Sequence, residues 1–181
     1  MMKPKLLIIE PQISKDDGER ILSKKSSHFL KRIQKDRAVL KKIELIHLPF
    51  FIFDMNQDGM KKGRVCVDGL IGHAFFSVND DLRTTEKQNM PPCPFVLSPS
   101  EGEARVRGWW RGVNLEKGLR IKHPTPEASI GSHRKMYYPF WVGYFETKNA
   151  YDFRAVDAVT GDKQGVRMRK VFLRAFREMR A

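Results

Sequence analysis

Several short stretches of this sequence place chemically capable residues at suggestive spacing. Asp54-Met55-Asn56-Gln57-Asp58-Gly59 copies the first half of a calcium loop, Asp-x-Asn-x-Asp-Gly. Calcium there also needs a bidentate glutamate at position twelve, and that position holds Val65. Lys61 and Lys62 add two cations where a third carboxylate would help, and an aromatic run replaces the leading helix. The stretch reads as a hairpin turn. The histidines, His28, His47, His73, His123 and His133, have no His-x-x-x-His spacing, and Cys66 and Cys93 form no Cys-x-x-Cys pair. A zinc site on one element is therefore not expected. A lone cysteine is usually a buried thiol, and no base for a nucleophile can be identified. Asp68 and Asp157 could form a carboxylate pair, but each precedes a glycine within four residues and suits a tight turn. No phosphate loop, Gly-x-Ser-x-Gly or dinucleotide fingerprint occurs. No catalytic residue, metal or cofactor is expected.

Basic and aromatic residues are the remaining candidates. Arg105, Arg107, Trp109, Trp110 and Arg111 interleave guanidinium groups with indoles, as nucleic-acid surfaces do, guanidinium for phosphate and indole for stacking. Arg167, Arg169, Lys170, Arg174, Arg177 and Arg180 would cover the polar face of a last helix. The plainer reading of both is a solvated face, with the two tryptophans filling a groove between modules.

The charge behind these clusters is large. Lys and Arg number 34 against 21 Asp and Glu, a formal net charge of +13 over 181 residues. The excess is shared by both halves, so it is not a detachable tail. With 41% hydrophobic and 30% charged residues, the composition excludes a disordered chain, a collagen and a multi-span membrane protein. The apolar run Leu6–Ile9 is too short for a signal peptide or a membrane span, so a cytoplasmic protein with reduced thiols is expected.

The elements that would position these residues are written twice. His47-Leu48-Pro49-Phe50-Phe51-Ile52-Phe53 matches Tyr137-Tyr138-Pro139-Phe140-Trp141-Val142-Gly143, the prolines 90 residues apart. Val67-Asp68-Gly69-Leu70-Ile71-Gly72 matches Val156-Asp157-Ala158-Val159-Thr160-Gly161 at an offset of 89. Ile13-Ser14-Lys15-Asp16-Asp17-Gly18-Glu19 echoes Leu97-Ser98-Pro99-Ser100-Glu101-Gly102-Glu103 at an offset of 84. Three matches in one order predict an internal duplication.

In each copy a serine three residues before a carboxylate starts a helix. In the first copy Leu22, Phe29, Ile33 and Leu40 continue it at helical spacing. In the second, Gly102, Gly108, Gly112 and Gly118 should shorten or break it. Strands follow: Glu44–Met55 and Met136–Phe145, then Arg64–Val67 and Tyr151–Val156, then His73–Val78 and Asp162–Val166. The expected fold is α+β, two similar modules (1–78 and 95–166), each a helix on an antiparallel β-meander. A linker (79–94) joins them, and a C-terminal basic segment (167–181) follows, helical from Met168 to Arg180.

An Ile-Ser-x-x-x helix start, a helix and a meander carrying Val-Asp-x-x-x-Gly resemble the PepSY module, whose layout is similar to cystatins. The resemblance covers roughly 13–78 and 97–166. It implies a non-catalytic regulator or binding domain. Taken together, these features lead to a binding protein for a protein or peptide partner, of undefined oligomeric state. The alternative is a basic nucleic-acid-binding protein, with an enzyme third.

Overall fold

Ser14 and Ser98 open helices by the same chemistry. In the computed structural model, which describes residues 7–24, 38–57, 60–76, 82–85, 93–121, 129–147 and 150–180, the Asp17 amide donates to the Ser14 hydroxyl (3.1 Å). The Glu101 amide likewise donates to the Ser98 hydroxyl (3.3 Å). Each bond satisfies an amide of the first turn that has no partner within its helix. The Glu101 carboxylate reaches back to the Ser98 amide (2.7 Å), completing a capping box.

The elements run β1 (Leu7–Ile9), α1 (Lys15–Ser23), β2 (Val39–Gln57), β3 (Met60–Asp68), β4 (Ala74–Phe76), β5 (Thr84–Thr85), α2 (Pro99–Ile121), β6 (Ser129–Glu146), β7 (Tyr151–Asp157) and α3 (Val166–Glu178). The protein is α+β, with three helices among the described residues and a mixed sheet. Two compact units share these elements. Unit one comprises Met1–Ile9, Leu48–Tyr138 and Arg174–Ala181; unit two comprises Glu10–His47 and Pro139–Leu173. Neither unit is contiguous in sequence, whereas the expected modules are.

In unit one the strand order is β4-β3-β2-β6-β1-β5. β2 and β3 are antiparallel, with Phe50 opposite Asp68 and Ile52 opposite Cys66. The ladder continues to Gln57 opposite Met60, and the tip residues Asp58 and Gly59 of the calcium-like stretch lie outside the described residues. Helix α2 packs on β3 and β4. Its Val106 joins Phe51, Phe53, Met55, Val65 and Val67 in a core that Trp109 and Trp110 flank. Burying each such aliphatic or aromatic side chain contributes roughly 1.5–3 kcal/mol.

Unit two repeats the plan. β6 and β7 are antiparallel, with Phe140 opposite Asp157 and Val142 opposite Ala155. Helix α1 packs on β7, and its Leu22 joins Phe145 and Val156 in the core. Leu22 and Val106 lie 84 residues apart, Met55 and Phe145 90, and Val67 and Val156 89, the offsets read from the sequence, and each trio shares one core.

The backbone agrees bond by bond. In unit one the Val96 and Leu97 amides both donate to the Gly69 carbonyl (2.9 Å each), and the Gly69 amide donates to the Pro49 carbonyl (2.7 Å). In unit two the Gln12 and Ile13 amides both donate to the Ala158 carbonyl (2.8 Å each), and the Ala158 amide donates to the Pro139 carbonyl (3.1 Å). Gly72 and Gly161 end the two turns at φ +82° and +81°, a left-handed conformation that favours glycine. Unit one thus joins the earlier hairpin, β2–β3, to the later helix, α2. Unit two joins the earlier helix, α1, to the later hairpin, β6–β7.

Several expectations need correction. The sheet is mixed because β1 runs parallel to β6, Leu7 opposite Met136. Helix α1 ends at Ser23, and Leu40 lies on β2, packed in unit two's core; Phe29 and Ile33 lie outside the described residues. Helix α2 is neither short nor broken. It runs 23 residues, since Gly102 faces Phe51 and Phe53 while Gly108 and Gly112 border open space, where a glycine costs only about 1 kcal/mol. The expected linker contains β5, which pairs with β1, and the buried Cys93. The third strand expected at Asp162–Val166 reduces to one bridge, Val156 to Lys163, before α3 begins.

Candidate binding surface

Where unit one has a third strand, unit two has a groove. In unit one β4 covers the outer edge of β3: Val67 pairs with Ala74, Cys66 with Phe75 and Val65 with Phe76. In unit two the corresponding chain starts the same pairing. Lys163 bridges Val156, and the Gln164 amide donates to the Ala155 carbonyl (2.9 Å). Pairing stops there because Val166 opens α3. Among the described residues no strand covers the outer edge of β7 from Tyr151 to Arg154.

A groove of about 240 Å³ lies along this edge, lined by Phe153, Val166, Arg169 and Phe172 among others. Its floor is aromatic: the Phe172 ring packs edge-on against Phe153 (5.9 Å between centroids) and Phe140 (5.3 Å). Val166 at its lip is 77% exposed and Tyr151 at the strand start 80%, the two most exposed large apolar side chains described. Arg169 binds the edge itself. Its Nη1 donates to the Phe153 carbonyl (3.1 Å) and pairs with Asp152 (2.8 Å), while the guanidinium stacks over the Phe153 ring (4.5 Å).

Charge surrounds the groove. On the α1 side of β7, Arg154 lies over the Phe145 ring (4.4 Å), and Lys163 donates to the Lys24 carbonyl (2.8 Å). The Lys163 ammonium is held below the ordinary lysine range by burial first, then by the charges of Arg154 and Lys24. Arg167 and Lys170 are exposed on α3.

The expected basic residues thus have different surroundings. Arg169 lines the groove, with Arg167 and Lys170 on the same helix. Arg174 belongs to unit one and pairs with Glu178 (2.9 Å). Arg105, Arg107, Trp109, Trp110 and Arg111 all lie on α2 in unit one. Arg107 pairs with Glu103 (2.6 Å), Arg111 is exposed, and the Arg105 stem packs against Gly72. Trp109 and Trp110 are half-buried against unit one's own core and do not fill a groove between modules.

The other chemically suggestive residues serve the frame. Asp54 pairs with Arg64 (3.2 Å) and accepts from the Ser132 hydroxyl (2.6 Å). Asp68 and Asp157 hold tight turns through their own downstream amides. Cys66 and Cys93 are buried thiols, and burial, with a lesser contribution from Glu178, pushes the Cys93 thiol up to about 11. Among the described residues no group of three His, Cys, Asp or Glu is placed to hold a metal ion. No described helix is long and apolar enough to cross a membrane.

Tyr151, Phe153 and Val166 escaped the sequence reading. A signal was there: His73-Ala74-Phe75-Phe76 in the first half corresponds to the polar Asp162-Lys163-Gln164-Gly165 in the second. Compared with protein-family models, curated proteins and solved structures, the chain matches none.

Proposed function

We propose that the chain arose by internal duplication, that each unit combines the helix of one copy with the hairpin of the other, and that it serves as a non-catalytic binding protein for a protein or peptide partner. The shared backbone bonds of the two turns, Gly69 to Pro49 and Ala158 to Pro139, support the duplication, and the PepSY-like layout is part of the same reading. One observation carries the binding function: among the described residues unit two has no third strand, and the β7 edge lies beside an aromatic groove. An uncovered edge is a hazard that proteins normally blunt or cover, and peptide-binding domains leave such an edge open for use.

Selection of a random dodecapeptide library on the folded protein tests this reading. Enrichment of related sequences is expected. No enrichment, with RNA bound at low salt and released steeply as salt rises, would instead favour a polyanion surface.

A further inference from the structure

Resting on that reading, we infer that the β7 edge from Tyr151 to Arg154 takes an extended acidic peptide as an added strand, with alternate apolar side chains seated in the groove lined by Phe153, Val166 and Phe172.

The backbone supplies the first argument. Ala155 turns its carbonyl outward to Gln164, and Asp157 turns its amide outward to the Asp162 carbonyl. By the two-residue alternation of a strand, Phe153 and Tyr151 face the same way. The Phe153 carbonyl already accepts there from Arg169. An incoming strand's amide would take over that carbonyl, while Arg169 keeps its salt bridge to Asp152. β4 provides the precedent, since it occupies the corresponding place along β3.

The two faces of the strand set the peptide's chemistry. Side chains of an added strand point alternately to the two sides of the sheet. On one side they meet Val166 and the Phe153 ring, which the buried Phe172 backs, a surface that suits valine, leucine or isoleucine. On the other they meet Arg154 and Lys163, which suits glutamate or aspartate. Burial first, and then the neighbouring charges of Arg154 and Lys24, hold the Lys163 ammonium below the ordinary lysine range, so positive charge is crowded on that side. The same crowding opposes edge-to-edge pairing of two copies of this chain, which carries +13 overall.

The test uses a fluorescein-labelled hexapeptide of alternating glutamate and valine, titrated into the full-length protein by anisotropy. Saturable binding is expected, with protection of the Tyr151 amide in hydrogen exchange. Binding should weaken at least tenfold in Val166→Glu, which alters an exposed lip residue and should leave the melting temperature unchanged. N-methylation of the central valine, which removes a strand donor, should have a similar effect. Equal affinity for a lysine–valine peptide would overturn the charge assignment. Peptide binding insensitive to Val166→Glu, without protection at Tyr151, would overturn the edge site and leave peptide binding elsewhere intact. Absence of binding by either hexapeptide overturns this proposal, and absence of enrichment from the dodecapeptide library as well overturns the function on which it rests. Displacement of the hexapeptide by single-stranded RNA, equally in the variant, would identify the groove's surroundings as a polyanion surface and overturn it too.

Discussion

Asp68 and Asp157 hold the same turn with different numbers of bonds. Asp68 Oδ1 accepts from the Leu70 (3.1 Å) and Ile71 (2.8 Å) amides, as Asp157 Oδ1 does from Val159 (2.8 Å) and Thr160 (3.0 Å). Asp68 is fully buried and its second oxygen also accepts from the His73 amide (2.6 Å). Asp68→Ala should therefore cost about 3–4 kcal/mol, by leaving buried amides unsatisfied, and Asp157→Ala about 1–2 kcal/mol. Urea denaturation of both variants checks the order; equal losses would show that burial and the third bond contribute nothing.

Four glycines separate close packing from open space. A Cβ at Gly18 would stand 2.9 Å from Trp141, and one at Gly102 3.1 Å from Phe51; at Gly108 and Gly112 it would meet nothing within 4 Å. Gly18→Ala should destabilise by about 1–3 kcal/mol through overpacking, and Gly102→Ala by less. Gly108→Ala and Gly112→Ala should each stabilise by about 0.5–1 kcal/mol, as better helix formers. Thermal melts of the four variants provide the check.

The capping box makes stability depend on acid. Hydrogen bonds from the Ser98 amide and then the Ser98 hydroxyl hold the Glu101 carboxyl below its ordinary value of 4.5. A group depressed in the folded state stabilises at pH above its unfolded value, and that contribution fades as pH falls through the folded value. Glu101→Gln should flatten the acid limb of the stability profile below about pH 4.5 while Ser98 still caps the helix. An unchanged acid limb in denaturation profiles between pH 3 and 7 would contradict the linkage.

Both thiols should be silent in the folded protein. Cys66 and Cys93 are buried, and Cys93 titrates near 11. A disulfide reagent at pH 8 should label neither quickly, and both after denaturation. Rapid labelling of the native protein would place a thiol at the surface.

Local chemistry was legible in the sequence; long-range pairing was not. Ser14, Ser98, Asp68, Asp157, Gly72 and Gly161 act within a few residues, so their roles could be read from spacing. The last helix was legible too: the basic helix expected from Met168 to Arg180 is α3, Val166–Glu178. Leu40 kept helical spacing by accident, because an apolar residue every few positions also fits a strand buried on one face. Nothing local to Leu22 says that it packs with Phe145, more than a hundred residues away, and this long-range pairing set the compact units apart from the expected modules. The groove was missed because it arises from a strand cut short by a helix start, at residues that are individually ordinary.

The pairing of α1 with the β6–β7 hairpin and of α2 with the β2–β3 hairpin is the centre of this account, and double-mutant cycles measure it most directly. Leu22→Ala with Phe145→Leu, and Val106→Ala with Met55→Ala, should each be non-additive, with coupling of about 0.5–3 kcal/mol between side chains that share a core. Additivity of Leu22 with Phe145, within about 0.5 kcal/mol, would contradict the pairing and return each helix to the hairpin that follows it more closely in sequence.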